Sequence, residues 1–174
     1  MKKLTAASIA LCMATLVGCS SSDDEEELVL PEIVNQFETN VVWQESIGDG
    51  VEHYFSRLTP AIYKDHVFVA SRDGDIEALS VETGDTLWET DVRENSTFWP
   101  WESDISAKLS GGILQAYGKL FVGSEHGFLI ALDRETGEVV WRKNVPGEVL
   151  ASPAAGDGLI FVNLGSGKLL ALHP

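Results

Sequence analysis

Thiols are the most reactive side chains this chain could use, and it has two, Cys12 and Cys19. From Ser20 to Pro174 there is no cysteine. A thiolate nucleophile, a disulfide or a cysteine-based zinc site is therefore excluded from that stretch. The four histidines, His53, His66, His126 and His173, stand apart without the short spacing of metal ligands. No Gly-x-Ser-x-Gly elbow marks an activated serine. Gly165-Ser166-Gly167-Lys168 carries part of a phosphate loop, but Leu169 stands where a hydroxyl is needed and the upstream glycine is missing. Asp73-Gly74-Asp75 is too short for a calcium loop and reads as a hairpin turn. The expectation is no catalytic residue, no metal and no cofactor.

Charge narrows the partners. The chain has 27 acidic and 12 basic side chains. A surface this acidic repels phosphate, so nucleic acid is not an expected partner, and anionic lipid is disfavoured for the same reason. Part of the excess is one run, Asp23 to Glu27, which reads as a solvated spacer.

The elements that would position any function begin with an address. Lys2 and Lys3 precede an uncharged apolar stretch from Leu4 to Val17. As a helix it would reach only about 21 Å, short of a ~30 Å hydrocarbon core. A signal peptide over 1–18 fits better than a membrane span. The stretch ends Leu16-Val17-Gly18-Cys19, which resembles the lipobox of bacterial lipoproteins. That resemblance implies cleavage after Gly18, a diacylglycerol on the sulfur of Cys19 and an acyl chain on its new amino group. An ordinary signal peptide ending at a small residue is the plainer alternative. Residues 19–40 then form a lipidated, flexible acidic tether. Ser20 after the lipidated cysteine implies passage to the outer membrane, facing the periplasm.

From residue 41 onward the chain repeats. Val67-Phe68-Val69-Ala70, Leu120-Phe121-Val122-Gly123 and Ile160-Phe161-Val162-Asn163 align. So do the apolar runs ending Ala78-Leu79, Ala131-Leu132 and Ala171-Leu172. Gly74, Gly127 and Gly167 share one position between two apolar runs, where a hairpin turn needs positive φ. Thr83-Gly84 and Thr136-Gly137 mark a second turn. Runs such as Phe128 to Leu132 are apolar throughout, which suits strands covered on both faces. Four short strands per unit of about forty residues predicts an all-β fold, a β-propeller.

Trp88 and Trp141 each follow a turn glycine by four residues. Ala131-Leu132-Asp133-Arg134-Glu135-Thr136-Gly137-Glu138-Val139-Val140-Trp141 resembles the tryptophan-docking repeat of quinoprotein-type propellers. The earlier unit departs from it at Ser80, where an aspartate would stand. The indoles are expected to pack between adjacent blades, not to bind a ligand. Trp43, in Val41-Val42-Trp43-Gln44, carries the same final-strand signature ahead of the first full unit. Residues 41–174 suffice for roughly three blades, and closure takes about four to eight. The third unit stops at His173-Pro174, before its Thr-Gly and Trp positions. The expectation is the N-terminal part of a longer protein: an incomplete arc in which the partner strand for Trp43 is missing.

Together, the lipobox, acidic tether and docking repeats resemble the BamB family, propeller lipoproteins of outer-membrane β-barrel assembly. Asn35-Gln36-Phe37, Leu109-Ser110-Gly111-Gly112, Val122-Gly123-Ser124-Glu125 and Ala155-Gly156-Asp157-Gly158-Leu159 carry the likeness. It implies an eight-bladed, non-catalytic periplasmic scaffold that binds BamA, works with the other Bam components and helps deliver nascent outer-membrane proteins. It transfers no BamA-contact residue to this chain. Two rival functions remain: a generic envelope propeller lipoprotein that binds other proteins, and a fragment of a quinone-dependent dehydrogenase. The second needs calcium, a catalytic aspartate and commonly a cysteine pair, and the folded region has no cysteine. An insertion from Arg93 to Lys108 holds Phe98, Trp99 and Trp101. These aromatics could anchor a partner or fold back to plug the propeller mouth. Asp49 to Tyr54 is a second loop without an assigned role.

Overall fold

The computed structural model describes residues 37–50, 53, 54, 56–93 and 105–174. The chain divides into two units, Met1–Thr39 and Asn40–Pro174. Of the first, the described residues Phe37 to Thr39 are exposed. The second is all-β among its described residues.

Its eleven described strands form three antiparallel sheets. Blade 1 comprises β1 (Ala61–Tyr63), β2 (His66–Ala70), β3 (Asp75–Ser80) and β4 (Thr86–Asp91), in that spatial order. Blade 2 repeats it with β5 (Leu114–Ala116), β6 (Lys119–Gly123), β7 (Phe128–Asp133) and β8 (Val139–Asn144). Blade 3 has β9 (Ala154–Gly156), β10 (Leu159–Asn163) and β11 (Leu169–Leu172). The registers repeat as well: Ala61 opposes Phe68, Leu114 opposes Phe121 and Ala154 opposes Phe161. This is an arc of a β-propeller, three blades deep.

Two-sided burial explains the continuously apolar runs. Side chains alternate along a strand, so each blade presents two faces. On β6 and β7, Leu120, Val122, Ile130 and Leu132 pack with Phe68, Ile76 and Ala78 of blade 1. Their neighbours Phe121, Leu129 and Ala131 point the other way, against Ile160 and Val162 of blade 3. On β6 and β7 both faces of blade 2 are thus removed from water. Each fully buried large apolar side chain contributes roughly 1.5–3 kcal/mol, so two such seams dominate the packing energy. Leu169 of β11 holds the repeat position of Leu129 and is 67 % exposed, against 0 % for Leu129.

The turns obey backbone sterics. Gly84 and Gly137, between the third and fourth strands of their blades, have φ of +79° and +75°. Gly127 and Gly167 turn the second strand into the third at +76° and +82°, and Gly74 does so at +132°. All five fall where a side chain would be strained. In blade 2 the Asp133 carboxylate accepts hydrogen bonds from the backbone N–H groups of Glu135 and Thr136. Ser80 takes that place in blade 1, its Oγ accepting from Thr83 N at 3.3 Å.

Candidate functional site

Groups able to do chemistry are scattered or already engaged. Among the described residues, no three acidic, histidine or cysteine side chains converge on a metal-sized site. Asp75 of the Asp73-Gly74-Asp75 turn accepts from Ser71 Oγ at 2.9 Å and from Arg93 at 3.1 Å. Gly165 to Lys168 lie in the turn between β10 and β11, where Gly167 N donates to Leu164 O. His126 sits beside Phe128 and Arg142 on blade 2, and His66 stacks on Phe68.

The organised polar contacts lie in the seams between blades. Trp43 covers Gly84, and its Nε1 donates to Val81 O at 2.8 Å. One blade on, Trp88 covers Gly137 and its Nε1 donates to Arg134 O at 3.2 Å. Val81 and Arg134 each precede the turn glycine by three residues, so the two contacts are repeats of one device. The ring also meets its own blade: Trp88 lies 6.0 Å from Phe68, and Trp141 lies 5.8 Å from Phe121. Thr90 Oγ1 adds a bond to Gly137 O at 2.8 Å. A glycine is needed under each indole because a Cβ would enter the ring. Val41 and Val42, beside Trp43, pair with none of the described strands and are exposed.

Arginines reinforce the seam between blades 1 and 2. Arg72, 7 % exposed, donates through Nη2 to Glu125 at 2.7 Å. Its guanidinium lies 4.0 Å from the Tyr54 ring, while its backbone N–H donates to Gly50 O. Gly50 and Tyr54, from the loop of unassigned role, thus both contact Arg72 at this seam. At the opposite ends of the strands Arg134 stacks 3.8 Å over Tyr63, while Arg142 donates to Val92 O at the same end as Arg72. Between blades 2 and 3, Tyr117 OH accepts from Gly158 N and Ser110 Oγ donates to Val149 O, both at 2.9 Å. Arg72, Arg134 and Tyr117 carry no motif. One signal exists: Arg72 and Glu125 occupy the same repeat position in successive blades with opposite charges, as a pair bridging a seam would.

Cys19 and the aromatic insertion residues Phe98, Trp99 and Trp101 lie outside the described residues. What is described is a stack of sheets in which Trp43, Trp88, Arg72, Arg134 and Arg142 tie neighbouring segments together. That arrangement is suited to presenting surface.

Comparison with known proteins places this stack. The family model described as "Outer membrane protein assembly factor BamB" matches residues 32–98 and 100–173. The chain belongs to the BamB family. Among curated BamB relatives, that of Aliivibrio fischeri is 48% identical over 87% of this chain and 38% of its own length. That of Alteromonas naphthalenivorans is 47% identical over 86% of this chain and 39% of its own. The chain thus spans about two fifths of the length of these BamB proteins. Among solved structures, a europium-containing methanol dehydrogenase superposes with a TM-score of 0.55 at 20% identity, covering 71% of this chain and 22% of that one. This last likeness is one of fold alone.

Proposed function

We propose that this chain is the leading part of a non-catalytic scaffold of outer-membrane protein assembly. It is held at the outer membrane, facing the periplasm, by lipid on Cys19, and it binds BamA and assists nascent β-barrel proteins. The observation that carries the reading is the family match across both halves of the blade region, residues 32–98 and 100–173. The blades fit a scaffold, because Trp88 and Arg72 join one blade to the next. Three acyl chains would make the anchor essentially permanent, at about 0.8 kcal/mol per buried methylene.

Affinity capture tests it. The full protein, immobilised without its lipid, is expected to retain the purified periplasmic domains of BamA. Failure to retain them, with other envelope proteins captured instead, would favour the generic envelope binder.

A further inference from the structure

Residues 43–48 cross blade 1 without joining its sheet. Two contacts hold them. At one end the Trp43 indole lies on Gly84 and donates to Val81 O. At the other, a Cβ on Gly48 would stand 2.5 Å from Asp75 Oδ2 and 2.8 Å from Ser71 Cβ. Asp75 begins β3 and Val81 follows its end, so the segment runs the length of that strand. Gln44, Glu45 and Ser46, between the two anchors, are exposed. Side chains alternate along a strand, so Asp75, Glu77 and Leu79 share the face of β3 opposite to Ile76 and Ala78, which pack toward blade 2. Glu77 is 9 % exposed, at the repeat position where blade 2 has Ile130. The charged groups around it are carboxylates: Glu89 opposite on β4, Asp75 two residues back on β3, and Glu45 on the crossing segment. Its neighbour on β2 is the uncharged Val69. Arg93 is bonded to Asp75 and Asp91, and the Thr86 hydroxyl donates to Glu77 at 3.3 Å.

We propose that residues 43–48 form an acid-closed strap, laid on β3 when Glu77 is neutral and lifted from it when Glu77 is ionised. An ionised Glu77 under the strap is desolvated and faces three further carboxylates at once. Lifting the segment returns Glu77 to water and carries Glu45 away, and both changes relieve the charge. The strap yields first because two end contacts hold it, whereas Glu89 is fixed in the ladder of β4. Lifting also withdraws the indole from Gly84 and opens the face of blade 1 that carries Val67, Val69 and Leu79. Burial, then Glu89, and further Asp75 and Glu45, raise the proton affinity of Glu77 against the pull of Thr86. Closure is therefore complete below the ordinary glutamate value and is lost as pH rises through the raised one.

The strap needs no partner, so it is read on the full protein alone, free of lipid. A nitroxide spin label is attached at Ser46→Cys, an exposed position, on a background without other thiols. Its mobile fraction, measured by electron paramagnetic resonance, is expected to rise roughly threefold from about pH 4 to about pH 8. Glu77→Gln should hold the label in its immobile state throughout. Glu89→Gln should keep the transition and move it to lower pH, and this variant decides the matter if Glu77→Gln does not fold. A label equally mobile at both pH values, or one that loosens in acid instead, overturns the strap. So does a response that Glu77→Gln and Glu89→Gln leave unchanged, or a Glu77→Gln label that is mobile throughout. Loosening that occurs only together with loss of the sheet signal in circular dichroism overturns it as well.

Discussion

Gly137 is the floor on which Trp88 lies: a Cβ at residue 137 would stand 2.5 Å from Cε3 of the indole. The turn glycine of one blade and the tryptophan of the blade before it are thus a single contact between residues 49 positions apart in sequence. The glycine answers two demands together, a φ of +75° and space for a ring. Those demands can be separated experimentally.

Gly158 has the same φ of +75° with nothing within 4 Å of a Cβ. Gly158→Ala should cost only the left-handed strain, about 1–2 kcal/mol. Gly137→Ala should cost that strain plus displacement of the indole, roughly 3–4 kcal/mol in all. Urea denaturation of the two variants checks this, and equal midpoints would contradict the seam contact.

For the Arg72–Glu125 pair, the cost of a deletion depends on what is left behind. Arg72 is 8 % exposed along its side chain and its Nε has no hydrogen-bond partner, whereas Glu125 is 29 % exposed. Glu125→Ala strands a buried cation and should cost about 2–3 kcal/mol. Arg72→Met leaves a carboxylate that water can reach and should cost about 1 kcal/mol. The order of the two denaturation midpoints is the readout, and the reverse order would contradict the burial argument.

Two carboxyls should give opposite pH responses. Burial, then the Glu89 carboxylate opposite, raise the Glu77 carboxyl above its ordinary 4.5, while the Thr86 hydroxyl pulls it down. Its protonated form suits the fold, so its contribution is present below 4.5 and is lost as pH rises through the raised value. Glu77→Gln should therefore be more stable than the parent at neutral pH and match it in acid. The Thr136 and Glu135 N–H groups hold Asp133 below its ordinary 3.8. Its contribution is present above 3.8 and lost as pH falls through the lowered value, so Asp133→Asn should be weaker at neutral pH and converge with the parent in acid. Stability measured across pH for both variants tests the two signs together.

Cys19→Ser removes the thiol that the lipobox resemblance marks for lipidation. Membrane fractionation should move the protein from the outer-membrane pellet to the soluble periplasm, with the blades still folded by circular dichroism. Retention in the pellet would argue for another means of attachment.

The recurring glycines and tryptophans made the sheets and their turns legible in the sequence, because strand period and positive φ are local demands. The contacts across the seams were not. Trp88 finds Arg134 O, and Arg72 finds Glu125 53 positions away; repeat alignment shows these positions to be equivalent without showing which blade each faces. Gly111 and Gly112 could be quoted as a motif, but their reason, the close approach of Ala151 and Thr59, is tertiary. Glu77 takes the repeat position of Ile130, and its raised affinity for a proton follows from its burial and from Glu89 opposite.

A scaffold role without catalysis is tested most directly by barrel assembly itself. Vesicles carrying BamA and its complex partners, with or without the full lipidated protein, are given an unfolded β-barrel protein, and folding is followed by its heat-resistant mobility on gels. Faster folding is expected with the protein present, and no dye reduction when quinone, calcium and alcohol are added. Unchanged folding together with quinone-dependent dye reduction would contradict it.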